Sequence, residues 1–159
     1  MRSLVLFSLL FMIANNAWSD TKRELRCLAL NVYHEARGEP VEGQLAVALV
    51  TMNRVHSKSY PDQVCKVVWQ RRQFSWTHDG RSDSPRDKKA WQMANKIASF
   101  VYQKYDEFHG LSGGALDITQ GALHYYAPKH ADPSWARVKE VTNRIGGHIF
   151  LKAKKKHRS

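Results

Sequence analysis

The sequence predicts a mainly helical α+β domain, and three observations carry that prediction. Apolar residues recur at helical spacing in three long segments, beginning near Leu25, Val41 and Ala90. Pro, Gly and capping residues mark the ends of those segments, as at Gly38-Glu39-Pro40 and Ser84-Pro85. Near the C-terminus, Val138 to Thr142 and His148 to Leu151 flank Gly146-Gly147, the pattern of a small hairpin.

In chain order, Arg2 precedes an apolar run of 11 residues from Leu4 to Ala14, and Ala17-Trp18-Ser19 follows. A charged start, a short hydrophobic stretch and a small-x-small exit form the layout of a secretory signal over residues 1–19, with cleavage expected after Ser19. The run is shorter than the ~20 residues a stable membrane span requires. Cleavage leaves 140 of the 159 residues: one expected domain at 20–151 and a basic tail at 152–159. The mature protein is expected to be periplasmic or extracellular and monomeric. In that setting Cys27 and Cys65 read as a disulfide tying the first helix to the segment after Pro61.

Leu25, Leu28, Ala29, Val32 and Ala36 stripe the first domain helix. Val41 to Val55 is apolar nearly all round and is expected to be the central core helix. After the Tyr60-Pro61-Asp62 turn, Val64, Val67, Val68 and Trp69 suggest a short helix. Thr77 to Ser84 has no periodicity and reads as a surface loop. Ser84 is the expected cap of a long helix with Pro85 in its first turn and Asp87 near its positive end. Ala90, Trp91, Ala94, Ile97, Ala98, Val101, Tyr105 and Phe108 keep one face of it apolar until Gly110 stops it. Leu111 to Gly121 reads as loop, and Ala122 to Pro128 as a short strand or a half-turn.

The formal charge is +11, and losing Arg2 with the signal leaves +10. Lys152, Lys154, Lys155, Lys156 and Arg158 supply half of that at the chain end. Such a balance favours anionic cell-envelope polymers, and for an exported protein it disfavours nucleic acid as the partner.

Glu35 is the residue on which chemistry is expected to centre. It lies one step off the apolar stripe, at the margin of the buried face, just before Gly38 and Pro40 end the helix. A carboxyl half out of water is disfavoured as an anion, so its pKa rises and it can serve as a general acid. Other signatures fail. His34-Glu35 lacks the second histidine of a zinc-protease helix, because Gly38 holds that position. Gly110-Leu111-Ser112-Gly113-Gly114 matches G-x-S-x-G but follows a helix rather than a strand. The cysteines are too far apart for a metal knuckle, and no metal or cofactor is expected.

Tyr33-His34-Glu35-Ala36-Arg37-Gly38-Glu39-Pro40, Glu42-Gly43-Gln44, Asn53-Arg54-Val55, Tyr60-Pro61, Gln73-Phe74-Ser75-Trp76 and Gly121-Ala122-Leu123-His124-Tyr125-Tyr126-Ala127-Pro128 together resemble the SleB/CwlJ family of cell-wall hydrolases. The resemblance runs from about Cys27 to Phe150. It implies a lysozyme-like single domain, a peptidoglycan glycan strand as substrate, and Glu35 as the acid. Spore-germination members also carry a separate peptidoglycan-binding domain, and here targeting is expected to rest on charge or on the catalytic domain itself.

Two enzymatic schemes follow from the resemblance. In a lytic transglycosylase the muramic acid 6-hydroxyl attacks the anomeric carbon, and Glu35 alone acts as acid and then as base. Gln73 with Tyr125 or Tyr126 would orient sugar groups, and Phe74 and Trp76 would pack against pyranose faces. In a hydrolytic muramidase or endolysin a second carboxylate is needed, ~5–5.5 Å away for retention or ~6.5–9.5 Å for inversion. Glu39 is the candidate for that second carboxylate. A reading from another class, a non-enzymatic module that binds anionic envelope polymers, rests on the charge and aromatic content.

Overall fold

In the computed structural model the described residues are 2–109 and 116–154, with side chains described from residue 19 except at 108 and 109. Four helices and three strands make up the fold: α1 (Arg2–Ala36), α2 (Val41–Val55), α3 (Val64–Val68), α4 (Lys88–His109), β1 (His124–Tyr126), β2 (Lys139–Ile145) and β3 (His148–Ala153). Two 3-10 turns, Ser75–His78 and Ser134–Val138, lie in the connections. The mainly helical α+β expectation is met, with one strand more than the predicted hairpin.

α1 ends at Ala36, before Gly38 and Pro40, and α2 occupies the predicted interval. α2 is buried on almost every side from Gly43 to Arg54, as its all-round apolar sequence requires. Leu28, Val32, Leu49, Val68, Ile97 and Val101 pack α1, α2, α3 and α4 into one core. The Cys27–Cys65 disulfide links α1 to α3 across 38 positions. Among the described residues no helix is long and apolar enough to cross a membrane.

The backbone is helical without interruption from Arg2 to Ala36. One sequence expectation is corrected. The cap of α4 is Asp87, not Ser84: Asp87 Oδ1 accepts the Ala90 N–H at 3.0 Å, one turn inside a helix that begins at Lys88. β3 runs to Ala153, two residues past the expected domain end at 151, and residues 155–159 lie outside the described residues. The G-x-S-x-G string and the Gly110 stop also fall largely or wholly outside them.

The strands form an antiparallel sheet in the order β1-β3-β2, so β1 is an edge strand. His124, Tyr125 and Tyr126 pair with Leu151, Phe150 and Ile149. The β2–β3 ladder is interrupted between Val141 and Asn143, the mark of a bulge at Thr142. Phe150 and Ala122 lock the sheet against Ala46 and Val50 of α2, with Tyr125 packed alongside. A buried polar knot reinforces this junction: Asn53 Nδ2 donates to Asp117 Oδ2, Thr119 Oγ1 and the Ala122 carbonyl, and Tyr105 Oη donates to Asn53 Oδ1. β1 therefore stands at a fixed height above the C-terminal end of α1.

Candidate active site

α1 delivers Glu35 in its last turn, and β1 delivers Tyr125 opposite it. The Tyr125 hydroxyl donates to Glu35 Oε2 at 3.2 Å. Burial raises the Glu35 carboxyl above its ordinary value of 4.5. The Tyr125 hydrogen bond and the positive charge of Arg54 pull it back only in part. Burial and the adjacent Glu35 carboxylate push the Tyr125 phenol well above 10, so it remains a donor at any working pH. The arrangement can hold a proton at Glu35 and stabilise the anion left after that proton is given up.

These two residues line a cleft of about 450 Å³ together with His34, Glu39, Ser75, Tyr126, Ala127, Lys129, His130, Ala131, Gly147 and His148. A cavity of about 320 Å³ between Asp20 and Asp106 and one of about 590 Å³ over Cys27, Cys65 and Trp69 contain neither Glu35 nor Tyr125.

Glu39 shares the cleft but is tethered. One of its carboxylate oxygens accepts the Gly147 N–H at 2.6 Å, and the other lies 3.9 Å from His148 Nδ1. The Glu39 backbone carbonyl accepts from Gln44 Nε2. Gly146 has a positive φ of 56°, and a Cβ at Gly147 would stand 2.8 Å from Glu39 Oε1. The Gly146-Gly147 pair is thus what lets the hairpin turn approach the carboxylate. Burial lowers the pKa of His148, outweighing the opposing pull of Glu39, so its ring is biased to the neutral form.

Several predicted site residues sit elsewhere. Phe74 and Trp76 were expected to present faces to sugars, but they are 4% and 8% exposed and belong to the helical core. Trp76 stacks beneath the His34 ring at 4.4 Å, and Phe74 carries the Arg54 guanidinium at 5.4 Å. They support the cleft floor from behind. Gln73 is half-buried in the turn before Phe74 and does not line the cleft. Tyr126 does line it. Among the described residues no group of three or more His, Cys, Asp or Glu is placed to hold a metal ion.

Sequence reasoning passed over Arg54, Lys129, His130 and His148. Arg54 carried a usable signal, because an arginine in a helix apolar on nearly every side must be buried and engaged. Its Nε donates to the Leu123 carbonyl at 2.8 Å, next to β1, and its charge reaches both Glu35 and Tyr125. Lys129 and His130 lie in a loop and His148 at the first position of β3, where no periodicity predicts direction.

Residues 38–151 match the model of a family described as Cell Wall Hydrolase. The chain is 33% identical over 133 residues to a spore cortex-lytic enzyme of Oceanobacillus iheyensis, covering 83% of this chain and 42% of that protein. A spore cortex-lytic enzyme of Bacillus subtilis is likewise 33% identical, over 137 residues, 86% of this chain and 40% of its own length. The chain thus spans less than half the length of these curated relatives. Among solved structures, the catalytic domain of the Bacillus cereus SleB protein aligns with a TM-score of 0.61 at 31% identity, over 82% of this chain and 91% of that one. The catalytic domain of the germination-specific lytic transglycosylase SleB from Bacillus anthracis aligns with a TM-score of 0.64 at 32% identity, over 81% and 93%.

Proposed function

This chain belongs to the cell wall hydrolase family, and on that premise we propose that it cleaves peptidoglycan glycan strands between N-acetylmuramic acid and N-acetylglucosamine, as a lytic transglycosylase. The observation that carries the proposal is Glu35: a carboxyl whose pKa burial raises, in a cleft, with a permanent hydrogen-bond donor on Oε2. The kinship with an enzyme described as a lytic transglycosylase supports the reaction type.

Protonated Glu35 donates to the bridging oxygen as the glycosidic bond breaks. The leaving sugar departs with that proton, and the Tyr125 hydroxyl and Arg54 charge stabilise the resulting carboxylate. The carboxylate then removes the proton from the muramic acid 6-hydroxyl as that oxygen bonds to the anomeric carbon. This closes a 1,6-anhydro ring and restores the acid. No second carboxylate takes part. Glu39, the other carboxylate in the cleft, is engaged by the Gly147 N–H, which suits it to anchoring the turn rather than to attacking a sugar.

The disulfide supports an oxidising compartment, and we place the mature chain outside the cytoplasm after removal of the segment ending near Ser19. The net charge of +11 supports attraction to anionic envelope polymers.

Digestion of purified sacculi followed by mass spectrometry of the muropeptides tests the proposal. The expected result is 1,6-anhydro-muramic ends from the wild-type protein and none from Glu35→Gln. Reducing muramic ends would overturn the transglycosylase assignment in favour of a hydrolytic muramidase. Absence of any glycan cleavage would leave the binding-module reading in its place.

A further inference from the structure

The 3-10 turn at Ser134–Val138 carries an exposed tryptophan beside the cleft that the reaction above does not use. Trp135 is 40% exposed, and no residue of its turn is buried. Its ring packs T-shaped with Tyr126 at 6.0 Å and 83°, and tilted against His124 at 5.6 Å and 43°. His124 and Tyr126 are two residues apart on β1, so they project from one side of the strand while Tyr125 projects from the other toward Glu35. Tyr126 thus belongs to two surfaces at once. It lines the Glu35 cleft, and it holds the indole of Trp135.

We propose that Trp135 is an outer glycan subsite, on which a pyranose ring of a β-1,4-linked N-acetylhexosamine strand stacks after passing Tyr126 from the Glu35 cleft. The proposal rests on the glycosidase reading and extends it to a strand-length preference. Three features favour a saccharide over a protein partner on this face. The indole is continuous with the cleft through Tyr126, so an occupant of one is led to the other. β1 is an edge strand, so a linear polymer can cross its free side without passing through the sheet. The rings that the indole touches, Tyr126 and His124, supply an apolar platform with polar tips, the Tyr126 hydroxyl and a His124 ring kept neutral. Aromatic rings offer a negative face to the slightly positive C–H bonds of a sugar ring, and a tryptophan presents the largest such face at little entropic cost.

The test uses the Glu35→Gln protein, which holds strands without turning them over, and glycan strands freed of their peptides by an amidase. NMR follows the Trp135 indole N–H, identified by its loss in Trp135→Phe. Addition of strands is expected to shift that resonance saturably. Trp135→Ala in the same background is expected to weaken strand binding about tenfold, which corresponds to roughly 1.4 kcal/mol, and Trp135→Phe to recover most of the loss. In the active protein, Trp135→Ala is expected to raise KM for long strands more than it lowers kcat. An indole signal that stays fixed while strands bind overturns the proposal, as does unchanged affinity in Trp135→Ala. The indole measurement needs no substitution at Trp135 in the observed protein, so it decides the matter even if the alanine variant fails to fold. Loss of all glycan cleavage in the wild-type protein contradicts the glycosidase reading alone, because strand binding at Trp135 is read without turnover.

Discussion

Glu35 is held in a state that the fold makes costly, and the cost has a direction that can be measured. Burial raises its pKa, so the folded protein binds this proton more tightly than the unfolded chain does. The stability this contributes is present in full below about 4.5, the ordinary value, and is lost as pH rises through the higher folded value. Glu35→Gln removes the ionisable group and keeps its shape. It is therefore expected to melt above the wild-type protein at neutral pH, with the gap closing toward pH 4, while cell-wall clearing is abolished. Calorimetry across that range checks it, and a variant that melts lower at neutral pH would contradict it. At this scale the sequence was informative where chemistry depends on local geometry. Glu35 was legible because stripe phase and helix end are both read from neighbours within a turn. Phe74 and Trp76 were not, since an aromatic side chain's burial is decided by α1 and α2, far away in sequence.

The elements converge on the cleft through their ends. α1 stops at Ala36, β1 pairs at the edge of the sheet, and the β2–β3 turn reaches back to Glu39. That last contact is the seam between the helical layer and the sheet, and it depends on Gly147 having no side chain. Gly147→Ala places a Cβ 2.8 Å from Glu39 Oε1, so either the turn or the carboxylate must move. Loss of that charge-assisted hydrogen bond is expected to cost about 1.5–3 kcal/mol. A lowered melting temperature together with reduced lytic activity, measured on the same preparation, checks this, and wild-type values for both would contradict it. Element boundaries were readable where punctuation is unambiguous. Pro40 and the apolar block fixed α2, but Ser84, the expected cap of α4, lies four residues before Lys88, and Asp87 at the helix start takes that role. β1 stayed open between strand and half-turn because three residues carry no period, and its pairing with β3 lies more than twenty residues away.

For the whole molecule, the organisation is a rigid helical core that presents one carboxyl to a cleft closed by a small sheet. The Cys27–Cys65 bridge ties α1, the helix that carries Glu35, to α3, and a 38-residue separation is worth roughly 3–4 kcal/mol in the chain-entropy account. The overall class was legible because helix stripes dominate the composition. The third strand and the cleft lining were not, because both are made by contacts between distant segments. The proposed reaction requires that Glu35, buried in the cleft, hold its proton more tightly than a free carboxyl does. Carbon-detected NMR titration of the Glu35 side chain, assigned by its loss in Glu35→Gln, tests that most directly. The account predicts a midpoint above 4.5, coincident with the alkaline limb of the kcat/KM profile. A midpoint at or below 4.5, or an alkaline limb that ignores it, would contradict it.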